Sequence, residues 1–124
     1  MTVPLRALIL KDHEADAELL LYELRRVGYE FDWHRVDNES DYLEYLSPEL
    51  DVILADYTMP QFDAMRTLNL LKSRGMEIPF IIVTGTIGEE VAVDCMRQGV
   101  TDYLLKDRLG RLSSAVERAL QEKQ

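Results

Sequence analysis

The sequence has almost no cysteine and no apolar stretch long enough to cross a membrane. Cys95 is the only cysteine among 124 residues, so an internal disulfide is impossible, and one thiol with two distant histidines gives no zinc-site spacing. No run approaches the roughly 20 apolar residues of a membrane helix, and residues 1–10 lack the zones of a signal peptide. We therefore expect a cytoplasmic protein without membrane contact, in which Cys95 is a small buried hydrophobic residue.

Basic residues are in the minority. The chain has 14 lysine and arginine residues against 23 aspartate and glutamate residues, which gives a net charge of −9. Direct binding of nucleic acid is not expected, because it depends on clustered positive charge. The length of 124 residues and the 47% hydrophobic content are typical of one globular domain, residues 1–124, which is either a stand-alone regulator or one module of a larger signalling protein.

Five short segments of strand character alternate with segments of helical spacing, each of which ends near a glycine or proline or at the end of the chain. The second strand segment is more polar than the others, so we expect it at the edge of the sheet. The predicted strands cover residues 5–10, 31–36, 51–55, 79–83 and 102–105. Thr86 and Glu89 have the form of a capping box that begins the fourth helix, and Leu109 begins the apolar face of the fifth. Apolar central strands joined by helices predict an α/β fold of the flavodoxin-like (βα)5 type. We expect a doubly wound, five-stranded parallel sheet in the order 2-1-3-4-5 with helices on both faces.

Polar residues follow four of the predicted strands at their carboxyl ends, where ligands bind in open α/β sheets. Asp12 and Asp56 follow the first and third strands, so the fold would bring two carboxylates into one crevice. Carboxylate oxygens suit Mg²⁺, and an aspartate can attack phosphorus to form an aspartyl phosphate. Thr84 and Lys106 end the fourth and fifth strands, where a hydroxyl and an ammonium could bind phosphoryl oxygens.

Each of these residues also has a simpler interpretation. Asp12 could cap the first helix, Asp56 could be a turn residue, Thr84 could be an ordinary strand-end hydroxyl, and Lys106 could be a solvated loop charge. Any one of them alone would favour the simpler view. The simpler view does not explain four suitable groups at the carboxyl ends of strands one, three, four and five.

Four ordered motifs resemble those of the receiver domain of two-component response regulators, over nearly the whole chain. They are KDHEAD at 11–16, DYTMP at 56–60, TGTIGEE at 84–90 and DYLLK at 102–106. The chain is most similar to receivers associated with hybrid sensor kinases and PAS-containing signalling proteins. The resemblance implies a phosphorelay module that accepts a phosphoryl group from a histidine kinase or a histidine phosphotransfer protein. Such a module is not a true enzyme, since it catalyses only its own phosphorylation and dephosphorylation, and it acts on an effector domain or a downstream protein.

The resemblance also implies a role for each matching residue. Asp56 would be the phosphoacceptor, and Mg²⁺ would be held by Asp12, Asp56 and the backbone carbonyl of Thr58. Thr84 and Lys106 would bind the phosphoryl group. Phosphorylation would then change the surface formed by the fourth helix, the fifth strand and the fifth helix.

Tyr103 matches the aromatic switch position of the family, although it could equally be a half-buried strand aromatic. Three residues depart from the family pattern. Lys11 replaces the first member of an acidic pair, Asp107 follows Lys106 where a proline joined by a cis bond is common, and Ala64 replaces a glycine. We expect Lys11 to lie near solvent, where its ammonium would weaken the binding of Mg²⁺ about several-fold.

Lys11 leaves a second function open, namely a pseudo-receiver that keeps the fold as a protein-interaction module but is not regulated by phosphate. A flavin carrier would need a glycine- and hydroxyl-rich loop after the first strand, and residues 11–16 contain neither glycine nor serine or threonine. A phosphatase of the dehalogenase type would need an aspartate two residues after Asp56, where Thr58 stands. Both of these enzyme classes are disfavoured.

Overall fold

Strands and helices alternate along the chain as the hydrophobic pattern predicts. A computed structural model describes residues 3–57, 59, 63–85 and 88–123. The strands are β1 Val3–Leu10, β2 Tyr29–Val36, β3 Val52–Ala55, β4 Phe80–Thr84 and β5 Asp102–Leu105. The helices are α1 Glu14–Arg26, α2 Glu39–Tyr45, α3 Ala64–Ser73, α4 Glu89–Gln98 and α5 Leu112–Lys123, and a 3₁₀ segment, Lys106–Arg111, precedes α5.

The five strands form one parallel sheet in the order β2-β1-β3-β4-β5, so the predicted topology is confirmed. Leu10 at the end of β1 pairs with Val36 on one side and with Ala55 on the other. Thr84 at the end of β4 pairs with Leu105. Parallel pairing in this register brings the carboxyl ends of β1, β3, β4 and β5 to one edge of the sheet, where Asp12, Asp56, Thr84 and Lys106 lie.

Two apolar clusters cover the two faces of the sheet because successive side chains of a strand point to opposite faces. In β1, Leu8 and Leu10 belong to the cluster that contains residues of α2, α3 and α4, whereas Ala7 and Ile9 belong to the cluster with α1 and α5. β3 and β4 are buried along their whole length, as expected for central parallel strands. β2 lies at the edge and alternates between half-buried and exposed residues until Val36.

The helix ends agree with the sequence except near α4 and α5. Gly99 ends α4 at φ 111°, a conformation that side chains with a Cβ rarely adopt, and an added Cβ would meet Lys72. The N-cap of α4 is Gly88, and Thr86 lies outside the described residues. The prediction that Leu109 belongs to the last helix is wrong, because the chain first forms the 3₁₀ segment and α5 begins only at Leu112.

Cys95 is buried, as predicted. Among the described residues, no helix is both long enough and apolar enough to cross a membrane.

Candidate functional site

Asp56 lies directly after β3 at the edge where the strand ends meet. Its backbone N–H donates to the carbonyl of Leu10 at 2.9 Å, so the strand pairing continues to this residue. The residue is only 5% exposed, and the hydroxyl of Thr84 donates to Asp56 Oδ1 at 3.1 Å. Thr84 is itself fully buried. The predicted proximity of Asp56 and Thr84 is therefore confirmed.

Three carboxylates converge at this edge. Asp12, Asp16 and Asp56 each place one oxygen so that all three lie within 4.8 Å of one another. Asp12 was expected here, but Asp16 was given no role, although it belongs to the KDHEAD motif. Helical geometry is the signal that could have found it. Because α1 begins at Glu14, Asp16 lies in the first turn of the helix, only four residues after Asp12 and at the same end of the sheet.

Lys11 is fully buried, so the prediction that it lies near solvent is wrong. Its Nζ donates to the carbonyl of Val83 at 2.5 Å and lies 3.7 Å from Asp56 Oδ2. The backbone of Lys11 is also fixed, since its N–H donates to the carbonyl of Val36 and its carbonyl accepts from Arg35. The side chain therefore extends from the end of β1 beneath Asp56 to β4, rather than outward.

Burial lowers the pKa of the Lys11 ammonium, because removing the charge from water disfavours the protonated form, while the Asp56 carboxylate acts in the opposite direction. Lys106 is close enough to add a second lowering effect. Because its Nζ lies 3.7 Å from Asp56 Oδ2, the protonated form of Lys11 is the counter-ion of Asp56.

Lys106 forms an ion pair with Asp16. Its Nζ lies 2.7 Å from Asp16 Oδ2, and both side chains are partly exposed. This hydrogen bond is the main reason why the pKa of the Asp16 carboxyl lies below its usual range. Lys106 thus reaches the acidic cluster from β5, but its contact there is with a residue that the sequence analysis had left without a role.

The structure also bears on the proposed switch residue and on the residues that depart from the family pattern. Tyr103 is half-buried in β5, beside Ile82 of β4, and packs against the α2–α3–α4 cluster. Thr58 lies outside the described residues. No peptide bond of the described chain is cis, so Lys106 and Asp107 are joined by a trans bond. Ala64 is buried as the first residue of α3.

Comparison with known proteins identifies this arrangement. A family model described as the response regulator receiver domain matches residues 7–117, which include all of the strand-end residues described above. The chain belongs to this family. Receiver domains are signalling modules that interact with histidine kinases and effector domains, and they are not enzymes in the usual sense.

Curated regulators contain a similar receiver within a longer chain. Over 123 residues, or 98% of its length, this receiver is 32% identical to the regulatory protein AtoC of Escherichia coli, of which it spans 26%. It is also 32% identical over 102 residues to the response regulator protein FleR of Pseudomonas aeruginosa, covering 82% of this chain and 21% of that protein. The receiver thus spans about a quarter of the length of these relatives.

Solved structures agree on the fold. A response regulator from Hahella chejuensis superposes with a TM-score of 0.82 at 22% identity, covering 97% of this chain and 98% of that one. The signal receiver domain of the putative response regulator NarL from Mycobacterium tuberculosis gives a TM-score of 0.81 at 21% identity, with 95% and 97% coverage.

Proposed function

We propose that this receiver takes a phosphoryl group on Asp56 from a histidine kinase or a histidine phosphotransfer protein. The observation that supports this best is the surroundings of Asp56. It is buried at the carboxyl end of β3, between the hydroxyl of Thr84 and the ammonium of Lys11. A carboxylate oxygen of Asp56 would attack phosphorus, and the bond from phosphorus to the donor nitrogen would break, with its electron pair returning to that nitrogen. The product is an aspartyl phosphate.

The donor set fits a divalent cation. Three carboxylate oxygens within 4.8 Å of one another are the hard ligands that Mg²⁺ prefers, and Asp12 and Asp56 would hold the ion together with the carbonyl of Thr58. When bound, Mg²⁺ offsets the charge on the phosphoryl oxygens. Thr84 would bind one phosphoryl oxygen through its hydroxyl, and Lys106 would bind another through its ammonium.

The signal would leave the site through β4 and β5. Thr84 already contacts Asp56, and the neighbouring strand carries Tyr103, so movement of Thr84 toward a phosphoryl group would change the packing around this ring. The face formed by α4, β5 and α5 would then present a changed surface to an effector domain or a downstream protein.

We further propose that residues 1–124 form one cytoplasmic domain of the kind associated with hybrid sensor kinases and PAS-containing proteins.

The test is intact mass spectrometry after incubation with acetyl phosphate and Mg²⁺. We expect the wild-type receiver to gain the mass of one phosphoryl group and Asp56→Asn to gain none, since the amide is not a nucleophile. Asp51→Asn is a matched control, because Asp51 precedes β3 at the opposite end of the strand and should leave labelling unchanged. Labelling that survives in Asp56→Asn would contradict the proposal.

The buried ammonium of Lys11 favours one alternative, a pseudo-receiver. In that protein Lys11 would permanently supply the positive charge beside Asp56, at 3.7 Å, and the domain would act as an interaction module without phosphorylation. The same experiment separates the two functions, because a pseudo-receiver gains no mass under any concentration of acetyl phosphate and Mg²⁺.

A further inference from the structure

Asp16 is the one carboxylate of the acidic cluster that has no role in the proposed function. Its carboxylate oxygen lies within 4.8 Å of those of Asp12 and Asp56, yet it is also paired with Lys106 at 2.7 Å. We propose that Asp16 is a third carboxylate ligand for the divalent cation and that Lys106 is the resting partner which the cation displaces. This inference rests on the metal-binding part of the proposed function and names a further residue of that site.

The need for this carboxylate follows from Lys11. At the end of β1, the position before Asp12 holds a lysine, and its ammonium is committed to the Val83 carbonyl and to Asp56. The end of β1 therefore supplies one carboxylate only. Asp16 approaches the same point from the first turn of α1 and brings the cluster to three carboxylates, which offsets the positive charge of Lys11.

Because Asp16 is paired with Lys106, it can bind the cation only if this ion pair is weakened. An oxygen of Asp16 that binds a divalent ion loses much of its attraction for the ammonium, so ion and ammonium compete for the same carboxylate. Lys106 follows Leu105, the strand partner of Thr84, so a displaced ammonium remains at the crevice where the phosphoryl group would bind. Binding of the cation and binding of the phosphoryl group should therefore favour each other, and this coupling is reciprocal.

Calorimetric titration with Mg²⁺ alone, without a phosphodonor, tests the ligand role. We expect Asp16→Asn to bind Mg²⁺ about tenfold more weakly than the wild-type receiver, a loss typical of removing a group that supports a metal site. Glu14→Gln is the matched control, because it removes an exposed carboxylate from the same turn of α1 but outside the cluster, and its affinity should stay within about twofold.

A double-mutant cycle with Lys106→Met tests the competition. Removing the ammonium should tighten Mg²⁺ binding in the wild-type background, and most of that gain should disappear when Asp16→Asn is also present. Equal gains in both backgrounds would mean that Lys106 acts only as a distant charge, which overturns the exchange. Amide spectra of each variant establish that it is folded before titration, and Asp16→Ser replaces Asp16→Asn if the latter does not fold.

The outcomes separate this inference from the proposed function. Wild-type affinity that is retained in Asp16→Asn, together with acetyl phosphate labelling of Asp56, would overturn the role of Asp16 and leave the phosphoacceptor in place. A wild-type receiver that binds no Mg²⁺ in the titration would overturn both the metal site and this inference.

Discussion

At the scale of single residues, Lys11 changes the electrostatics of the site most. A fully buried lysine is rare unless it is paired, and here it has two partners, the carbonyl of Val83 and the carboxylate of Asp56. Its ammonium thus joins the ends of β1, β3 and β4. Removing the Lys11 ammonium would leave the buried Asp56 carboxylate without this positively charged partner.

We predict that Lys11→Met makes stability depend on the metal. In EDTA the free energy of unfolding should fall by about 3 kcal/mol, which is the usual cost of breaking a buried ion pair by removing one partner. Mg²⁺ should recover part of the loss, because the ion binds the folded site and replaces the missing charge. The measurement is urea unfolding, with and without Mg²⁺.

Lys72→Met is the control for that experiment. Lys72 is exposed, and its ammonium donates to the carbonyl of Gln98, away from the acidic cluster. Its variant should show no dependence of stability on Mg²⁺ beyond that of the wild type. If Lys11→Met were as stable as the wild type in EDTA, the cost of burying the ammonium would cancel the value of its contacts.

These residues also show how far a site can be predicted from sequence. Asp56 and Thr84 were predicted together because each follows a predicted strand and the expected sheet order makes those two strands neighbours. The hydroxyl does reach the carboxylate. The burial of Lys11 and the pairing of Lys106 with Asp16 were not predicted. A long flexible side chain can point outward or inward from the same backbone position, and only three-dimensional packing decides between them.

At the scale of elements, a buried hydrogen bond joins α2 and α3. The hydroxyl of Tyr42 in α2 donates to the carbonyl of Thr67 in α3 at 2.8 Å, and the ring is fully buried. Burial raises the pKa of the Tyr42 hydroxyl well above the ordinary tyrosine value. The short helix α2 therefore depends on a group that must remain neutral.

This predicts a pH dependence for the difference between the wild type and Tyr42→Phe. At pH 7 the variant should be less stable by about 1 kcal/mol, since a buried hydrogen bond is lost. Above the ordinary tyrosine pKa of about 10, the unfolded state releases its proton while the folded Tyr42 keeps it. The folded state then binds more protons, so the wild type loses about 1.4 kcal/mol per pH unit from this group and the variant does not.

Urea unfolding of both proteins between pH 7 and 11 measures this effect, because the other titrating groups are common to both and cancel in the difference. The gap in the free energy of unfolding should close as the pH passes the ordinary tyrosine pKa. A constant gap over the whole range would show that the folded hydroxyl ionises as readily as the unfolded one.

At the scale of the whole molecule, the fold was predictable because its signals are redundant. The central strands β1, β3 and β4 are apolar enough to find from composition. Parallel strands with crossover helices then leave few possible orders. The boundaries were less predictable: β1 begins at Val3 and β2 at Tyr29, two residues before the predicted strands. Edge residues with mixed polarity give a weak pattern even when backbone pairing includes them.

The parallel register also determines how a change at the site would spread. Thr84 touches Asp56 and pairs with Leu105, and two residues earlier Ile82 pairs with Tyr103. We therefore expect a displacement of Thr84 to act directly on its strand partner in β5. On the other side, Lys11 connects Asp56 to the carbonyl of Val83, so the last two residues of β4 both contact the Asp56 side chain or its counter-ion.

We predict that beryllofluoride, a phosphoryl mimic, changes amide hydrogen exchange from Thr84 to Lys106 as well as beside Asp56. The mimic should attract the hydroxyl of Thr84 and an ammonium, which alters the contacts that now hold the ends of β4 and β5. Exchange followed by NMR, with Mg²⁺ present throughout, gives the measurement at single residues. Asp56→Asn should show no change on adding beryllofluoride, and the strand β2, which does not contact β4 or β5 in the sheet, should keep its protection in both proteins. A change confined to the neighbours of Asp56 would mean that β4 and β5 do not transmit the signal, and the domain would then be better described as a phosphate sink.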